Sequence, residues 1–252
     1  MLERKRLIEE AENAINWIRE YVESTGAKGV VLGNSGGKDS ATVLAMSVKA
    51  LGKERVLAVG MPCNSKPEDL EDAKLVANTF GVKMITVDIT NTYNELEREI
   101  QVELNQELIN ESKINIKPRL RMTTLYGIAQ TFGFLVIGTG NLCERMVGYT
   151  TKWGDSSSDF NPIGNFTVDE VLVIGEYLGV PDKIIKKAPS DGLGKLTDEE
   201  KMGVTYKQIA EYIETGKTDE LAMENIARRN KNSKHKRELV PMYEFERKNY
   251  LK

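Results

Sequence analysis

The sequence predicts an α/β protein built on an open, mostly parallel, doubly wound sheet with added helices toward its C-terminus. The chain has 252 residues, 40% of them hydrophobic, which suffices for one large domain with a buried core. Four short aliphatic runs have the composition of buried strands, and segments with helical apolar spacing lie between them. This alternation is typical of a parallel sheet with helices on both faces.

The predicted strands are the aliphatic runs at 29–33, 55–62, 82–89 and 134–140. The helical segments between them span 39–52, 67–80, 91–107 and 118–132. In an open sheet of this kind, ligands bind beyond the carboxyl ends of the strands, where the strand order reverses. We therefore expect the functional residues in the loops that follow the strands.

Beyond residue 148 the sequence becomes polar and rich in glycine and serine, which predicts a long loop over about 149–165. Two further helices are predicted at about 168–178 and 198–214, separated by another loop. The C-terminal third thus decorates the sheet, and residues 1–252 are expected to form a single domain.

Composition excludes several classes of protein. The net charge of −3 argues against a general nucleic-acid-binding surface. Only two cysteines occur, Cys63 and Cys143, and neither belongs to a CxxC pair, so no disulfide framework or zinc site is expected. No run approaches the about 18 apolar residues of a membrane span, and the N-terminus does not have the pattern of a signal peptide. We expect a cytoplasmic protein without membrane or nucleic-acid partners.

The strongest local signal is a glycine-rich loop between the first strand and the next helix. It consists of Gly33, Asn34, Ser35, Gly36, Gly37, Lys38, Asp39 and Ser40. Backbone N–H groups in such a loop, with the positive end of the helix dipole, favour bound phosphate. The alternative is a plain strand-to-helix turn, since glycine is common in turns.

Two well-known phosphate-binding motifs do not fit the sequence. A Walker loop requires Ser or Thr after Gly-Lys, but Asp39 stands there, and Leu32 occupies the position of the first Walker glycine. The best candidate for a dinucleotide fingerprint begins at Gly138 and has Cys143 where its third glycine belongs. The loop therefore belongs to another class.

Residues 35–40 read SGGKDS, which resembles the SGGxDS loop of the ATP-pyrophosphatase superfamily. The resemblance implies that the loop residues 33–40 bind ATP, which is cleaved to AMP and pyrophosphate. Asp39 at the helix start is well placed to bind a Mg²⁺ ion that neutralises the leaving pyrophosphate. Simple helix capping by Asp39 is the alternative.

Longer matches resemble the ammonia-dependent NAD synthetases. They comprise GTGNLCE at 138–144, GYTTKWGD at 148–155 with Asp159 and the NPI at 161–163, RLRM at 119–122, the PS, TDEE and GVTY elements between 189 and 206, and HKR at 235–237. These pieces extend across most of the chain. The resemblance implies a ligase that amidates deamido-NAD with ammonia through an acyl-adenylate, with ATP as co-substrate and Mg²⁺ as cofactor.

The resemblance also assigns residues. It implies Mg²⁺ binding by Asp39 and Glu144, and further ATP contacts from Thr139 and Ser190. Deamido-NAD contacts are implied for Arg119, Lys152, Asp159, His235 and Lys236. Arginine and lysine suit a substrate with a pyrophosphate and a carboxylate. The local alternatives are a solvated helix acid at Glu144, a turn or cap at Ser190 and Asp159, and a solvated charged surface at Arg119 and around His235.

One position departs from the family pattern. Family members usually carry an ATP-contacting lysine a few residues after the NP(I/L) element, and the equivalent residue here is Val168. Lys38, Lys186 and Lys187 are candidates to replace its charge.

No side-chain nucleophile is needed for this chemistry, so catalysis is expected to rest on positioning and charge neutralisation. We hypothesise that Asp159 orients or deprotonates ammonia. Only 34 residues precede Ser35, so no glutamine amidotransferase domain is expected and free ammonia is the expected nitrogen donor. The family resemblance implies a homodimer. The alternatives are a tRNA-thiolating relative, which usually needs reactive cysteine pairs, and a non-catalytic adenine-nucleotide-binding module.

Overall fold

The structure is a computed structural model that describes residues 2–187 and 197–243. Its sheet has four parallel strands in the order β3-β2-β1-β4. The strands are β1 (Gly29–Gly33), β2 (Val56–Gly60), β3 (Lys83–Thr86) and β4 (Phe134–Val136). The predicted α/β class is confirmed, and the strand order reverses between β1 and β4. The carboxyl ends of these two strands therefore define the expected ligand edge.

Helices cover both faces of this sheet. They are α1 (Arg4–Thr25), α2 (Lys38–Leu51), α3 (Pro67–Thr79), α4 (Thr90–Leu104), α5 (Asn110–Phe132), α6 (Leu142–Val147), α7 (Val168–Tyr177), α8 (Asp182–Ile185), α9 (Asp198–Met202), α10 (Tyr206–Thr215) and α11 (Glu220–Asn232). Short 3-10 turns occur at Lys53–Arg55 and Lys234–Lys236.

Successive side chains of β1 point to opposite faces of the sheet and enter two different hydrophobic layers. Val30 and Leu32 pack with α1, α2 and α7, whereas Val31 packs with α5 through Leu125 and Ala129. Because both faces of the strand are covered, β1 reads as a continuous apolar run rather than an alternating one. A separate cluster joins α6, α9, α10 and α11 and includes Cys143, so the C-terminal helices pack around the loops of the site.

Two helix predictions need correction. Helix α5 begins at Asn110 rather than at 118, so Pro118 lies inside the helix. The first turns of α5 are held against α4 by the ion pair between Lys113 and Glu97 (3.2 Å). The helix predicted over 198–214 is two helices. Gly203, with φ +67°, ends α9 in the left-handed conformation before α10 begins.

Strand β4 is shorter than the predicted run 134–140. Beyond it, Ile137 pairs in parallel with Phe160, and the Gly138 N–H donates to the Phe160 carbonyl (2.8 Å). The Ile137 N–H still donates to the Val31 carbonyl of β1 (3.1 Å), and from Gly138 onward the segment bonds to the polar loop. None of the helices in the described parts of the chain is long and apolar enough to cross a membrane.

Candidate active site

The glycine-rich loop connects β1 to α2 and is held by its own polar side chains. The Asn34 N–H continues the β1–β2 ladder by donating to the Val59 carbonyl (2.9 Å), and the buried Asn34 amide donates to the Ala73 carbonyl (2.8 Å). The Ser35 and Ser40 hydroxyls lie 3.1 Å apart. The first N–H groups of α2 have no helical acceptor, which is the arrangement of a helix start that can bind an anion.

Gly36 explains why the loop needs glycine. Its φ is +74°, and a Cβ there would lie 2.6 Å from the Asp69 carbonyl oxygen and 2.9 Å from the Ala73 nitrogen of α3. Both the left-handed conformation and the close approach of α3 exclude a side chain. A plain turn would require only the first of these features.

Asp39 and Glu144 approach each other at the ends of β1 and β4, as predicted. Asn141 joins them: its amide donates to Asp39 Oδ1 (3.4 Å), and its side chain and backbone form a capping box with Glu144 at the start of α6. Helix α2 is capped at Gly37 without a side-chain bond, so Asp39 does not serve as its cap. Glu144 is half-buried and is not a solvated surface acid.

The charges here are strongly coupled. Burial and the neighbouring Asp39 carboxylate raise the pKa of Glu144 well above its usual range. Lys38 is 8% exposed, and its Nζ lies 3.3 Å from Asp39 Oδ2 and 5.7 Å from the centre of the Tyr206 ring. The site therefore holds two mutually repelling carboxylates beside one buried ammonium group.

This donor set fits Mg²⁺. Magnesium is commonly bound through one or two carboxylates together with substrate phosphates, and Asp39 and Glu144 supply two repelling carboxylates next to the glycine-rich loop. Within residues 2–187 and 197–243, no group of three or more acidic, histidine or cysteine side chains forms a complete metal cage. The remaining ligands of a Mg²⁺ ion would come from phosphate and water.

A second group of predicted residues lines a cavity of about 400 Å³. Lys152 Nζ lies 3.4 Å from His235 Nδ1 and 5.2 Å from the centre of the Trp153 ring, and Arg119 Nε donates to the Lys152 carbonyl (3.2 Å). Trp153 is exposed and has φ +63°, an uncommon conformation for a bulky residue. This cationic and aromatic cleft suits a negatively charged substrate with a flat ring.

Lys236 also lines a larger cavity of about 820 Å³, together with Asp155. Lys236 Nζ donates to the carbonyls of Gly148 (2.8 Å) and Thr150 (2.6 Å), and burial lowers its pKa. Asp155 Oδ1 accepts from the Thr151 N–H (2.6 Å), and burial within the cleft raises its pKa. The two cavities share Lys236, Ser156 and Ser158, so they adjoin.

Asp159 is held at the edge of β4. Its Oδ2 accepts from the Val136 N–H (2.7 Å) and its Oδ1 from the Tyr126 hydroxyl (3.2 Å). Both oxygens thus position the polar loop against the sheet. Its contact with deamido-NAD stays a prediction.

The remaining predicted positions differ in their surroundings. Thr139 is half-buried between β4 and Asn141, and Ser190 lies outside the described residues. Val168 is buried in the C-terminal hydrophobic cluster. Of the lysines considered as replacements, Lys38 lies in the loop itself, and Lys187 pairs with Asp69 (2.9 Å) and Asp72 (2.8 Å) on α3. Lys186 pairs with Asp182 on the surface.

Asn141 and Asp155 are site residues that sequence reasoning missed. Asn141 stands three residues before Glu144, which is the spacing of a capping box and a usable signal. Asp155 lies in the GYTTKWGD stretch, but nothing in its local sequence indicates burial beside Lys236.

The chain is similar to known proteins along most of its length. A family model described as NAD synthase matches residues 10–248. The NH(3)-dependent NAD(+) synthetase of Carboxydothermus hydrogenoformans is 44% identical over 237 residues, covering 93% of this chain and 97% of the relative.

Two solved structures are also similar. The NMN synthetase from Francisella tularensis aligns with a TM-score of 0.90 and 33% identity over 97% of this chain and 100% of its own. The NH3-dependent NAD synthetase from Campylobacter jejuni, in complex with the nitrate ion, aligns with a TM-score of 0.78 and 27% identity over 97% and 100%. The resemblance found in the motifs is thereby confirmed, and the chain belongs to the NAD synthase family.

Proposed function

We propose that the protein is a ligase that converts deamido-NAD, ATP and ammonia to NAD, AMP and pyrophosphate. The observation that carries this proposal is that Asp155 lies close enough to act electrostatically both on Glu144, beside Asp39, and on Lys236, which lines the cationic cleft with Lys152 and His235. One half suits a triphosphate and the other an anionic pyridine nucleotide. The curated relatives, named as NH(3)-dependent NAD(+) synthetases, support the same reaction.

In the first step, a carboxylate oxygen of the substrate attacks the α-phosphorus of ATP and pyrophosphate leaves. The N–H groups at the start of α2 bind the leaving phosphates, and Lys38 adds positive charge beside them. A Mg²⁺ ion held by Asp39 and Glu144 would supply further neutralisation of the pyrophosphate. Arg119 and Lys152 orient the substrate from the adjoining cleft.

In the second step, ammonia attacks the acyl carbon and AMP leaves, so one proton must be taken from nitrogen. Asp159 is the acceptor expected from the sequence, but both of its oxygens already accept hydrogen bonds from Val136 and Tyr126. Asp155 also accepts a hydrogen bond, from Thr151, but it lines the larger cavity, and burial raises its pKa, which favours uptake of a proton. We favour Asp155 as the acceptor and Asp159 as the residue that positions the loop.

A second candidate reaction is amidation of the mononucleotide to give NMN. The observation that favours it is the TM-score of 0.90 to the Francisella tularensis NMN synthetase. Purified protein with ATP, Mg²⁺ and ammonium should be given equal amounts of the deamido forms of the dinucleotide and the mononucleotide. Faster formation of NAD supports the principal proposal, faster formation of NMN supports the second, and ADP in place of AMP would contradict both.

A tRNA-thiolating activity is not favoured. Cys63 and Cys143 are buried, and burial raises the pKa of both thiols, that of Cys143 to about 12. A thiol of this kind is a poor nucleophile at neutral pH.

We also propose that the protein acts in the cytoplasm as a homodimer that contacts its partner through α4 and α5. The support is three exposed apolar side chains at the end of α4 and just before α5, which a partner subunit would cover. They are Val102, Leu104 and Ile109. Val102→Glu combined with Leu104→Glu should yield a monomer by light scattering. A wild-type protein that is monomeric at micromolar concentration would contradict the proposal.

A further inference from the structure

Arg121 is a half-buried guanidinium on α5 that lacks an acidic partner. Its Nε donates to the Met61 carbonyl (3.1 Å), just beyond β2. Within the described parts of the chain, no carboxylate lies within ion-pair distance of Arg121 and no acceptor bonds its two terminal nitrogens. Burial lowers its pKa, while Cys63, Asp155 and Asp69, in decreasing order of influence, oppose this effect electrostatically.

Arg145 and Arg237 have more hydrogen bonds than Arg121, and Arg119, which also bonds only through Nε, is the cation already proposed to contact deamido-NAD. Arg145 donates to the Gly164 carbonyl (2.8 Å) and to Asn165 (3.0 Å), and Arg237 bonds three acceptors. Because desolvating a charge without a partner is unfavourable, charges taken out of bulk water are usually paired. The unused N–H groups of Arg121 therefore indicate an anionic ligand.

The neighbours of Arg121 show where it lies in the candidate site. Asp69 and Asp155 are both close enough to act on its charge. The Asp69 carbonyl packs against Gly36 of the glycine-rich loop, and Asp155 lines the larger cavity. One helical turn beyond Arg121, the Leu125 side chain lies over Gly33. Arg121 thus lies near both the glycine-rich loop and the larger cavity.

We propose that Arg121 binds the non-bridging oxygens of the α-phosphate of ATP and keeps them bound in the acyl-adenylate. In the first step the carboxylate O–Pα bond forms, the bond from Pα to the bridging oxygen breaks, and pyrophosphate takes the electron pair. In the second step the N–C bond forms, the C–O bond to phosphate breaks, and AMP leaves with the pair. The guanidinium keeps its proton throughout and offers a planar fork to two phosphate oxygens.

The proposed role predicts that Arg121 affects the binding of the two products, AMP and pyrophosphate, differently. Pyrophosphate is held by the glycine loop, so its affinity should not depend on Arg121. AMP carries the phosphate that Arg121 contacts, so the affinity for AMP should depend on Arg121. The inference rests on the proposed function for the reaction, but the binding of AMP and pyrophosphate can be measured without turnover.

The test is calorimetric titration of AMP and of pyrophosphate, each with Mg²⁺, into wild type, Arg121→Met, Arg121→Lys and the control Arg98→Met. Arg98 lies on the exposed face of α4 and pairs with Glu95. The Kd for AMP should rise about tenfold or more in Arg121→Met, the loss expected for a charged hydrogen bond. It should rise less in Arg121→Lys, while the Kd for pyrophosphate changes by less than about twofold and Arg98→Met leaves both unchanged.

A structural role makes a different prediction. Equal loss of AMP and pyrophosphate affinity, or loss of neither, would overturn the proposal, as would weaker binding of deamido-NAD with AMP affinity intact. If Arg121→Met does not fold, Arg121→Lys decides the question, because its Kd for AMP should still rise more than its Kd for pyrophosphate. If wild type makes no NAD or NMN but the selective loss of AMP affinity is found, the proposed function fails and the assignment of Arg121 to an adenylate phosphate stands.

Discussion

Lys38 Nζ lies 3.3 Å from Asp39 Oδ2 at the start of α2, where both side chains are largely buried. Burial alone would lower the pKa of Lys38, but the carboxylates of Asp39, Glu144 and Asp198 outweigh it and raise that pKa. The three acids lie at the starts of three different helices, α2, α6 and α9. Lys38 therefore provides one positive charge that links the phosphate-binding loop to the C-terminal helices before any metal binds.

Replacing Lys38 with methionine should make stability depend on Mg²⁺. The variant leaves the acids uncompensated, and breaking a buried ion pair in this way costs about 3 kcal/mol. Because the pKa of Lys38 is raised above its unfolded value, its contribution is present throughout the neutral range and is lost only as pH rises through that raised pKa. Thermal unfolding at pH 7.5 with EDTA or with Mg²⁺ measures the effect, and Mg²⁺ should restore part of the loss.

The matched control for Lys38→Met is Lys49→Met on the same helix. Lys49 is exposed and pairs with Glu12, so its loss should cost at most about 1 kcal/mol and should not respond to Mg²⁺. Equal destabilisation of the two variants, or a Lys38→Met variant that ignores Mg²⁺, would show that Lys38 is not the counter-ion of the acidic site.

Glu144→Gln should separate stability from activity. Because the pKa of Glu144 is raised on folding, its ionisation opposes folding, and this penalty grows as pH rises above the ordinary glutamate range. Glutamine also completes a capping box with Asn141. We expect a higher Tm than wild type at pH 8 without metal and a smaller difference near pH 4.5.

The same Glu144→Gln variant should lose turnover by about a hundredfold or more, because a preorganised charge at the transferring phosphate is removed. Unfolding scans at both pH values and a coupled AMP assay measure the two effects. A variant that is less stable than wild type at pH 8 would mean that Asn141 and Lys38 already compensate the repulsion from Asp39.

The sequence predicts the sheet and the position of the glycine-rich loop well because both depend on local patterns. An aliphatic run followed by glycines and a helix start specifies β1, the loop and α2 without reference to distant residues. The family motifs add Glu144 by position. In the structure, Glu144 is positioned near Asp39 by the neighbouring Asn141, which accepts from the Glu144 N–H at the start of α6 and also donates to Asp39.

Long-range relationships explain what could not be predicted. Proline at 118 predicts a helix start, and only packing against α4 shows that the helix continues through it. The charged segment around His235 has the composition of a solvated surface. Lys236 nevertheless donates to two loop carbonyls that are 86 and 88 residues away in the chain. Local pattern does not encode such contacts, which form only when α11 packs against α6.

Gly36→Ala should damage the phosphate-binding loop through a collision with α3. Gly26→Ala is the matched control, since Gly26 has φ +72° against +74° for Gly36, but a Cβ at Gly26 would meet no atom within 4 Å. The control isolates the strain of a left-handed alanine, about 1 kcal/mol. Gly36→Ala should lose at least about 2 kcal/mol more than the control, because backbone atoms of Asp69 and Ala73 must shift.

Chemical denaturation and ATP titration measure both glycine variants. Gly36→Ala should bind ATP at least about tenfold more weakly, since the loop N–H groups are displaced. Gly26→Ala should bind it normally. Equal stability of the two variants would mean that α3 is free to move away from the loop.

Asp155→Asn and Asp159→Asn should differ in their pH profiles. If Asp155 accepts the proton from the attacking nitrogen, activity requires its ionised form and falls as pH drops through its raised pKa. Initial rates should be measured at a fixed concentration of free ammonia, so that the protonation of ammonia itself does not shape the curve. Asp155→Asn should then lose about a hundredfold in kcat and lose the acid limb of the profile.

Asp159→Asn tests, by the same pH profile, whether Asp159 is the proton acceptor instead. An asparagine oxygen can still accept from the Val136 N–H or from Tyr126 but not with the full charge of the carboxylate. We therefore expect a lower Tm and a higher KM for deamido-NAD with the acid limb retained, because the polar loop that carries Lys152 is held less firmly. If Asp159→Asn instead removes the acid limb and Asp155→Asn keeps it, Asp159 is the proton acceptor, and its hydrogen bonds to Val136 and Tyr126 must open during the reaction.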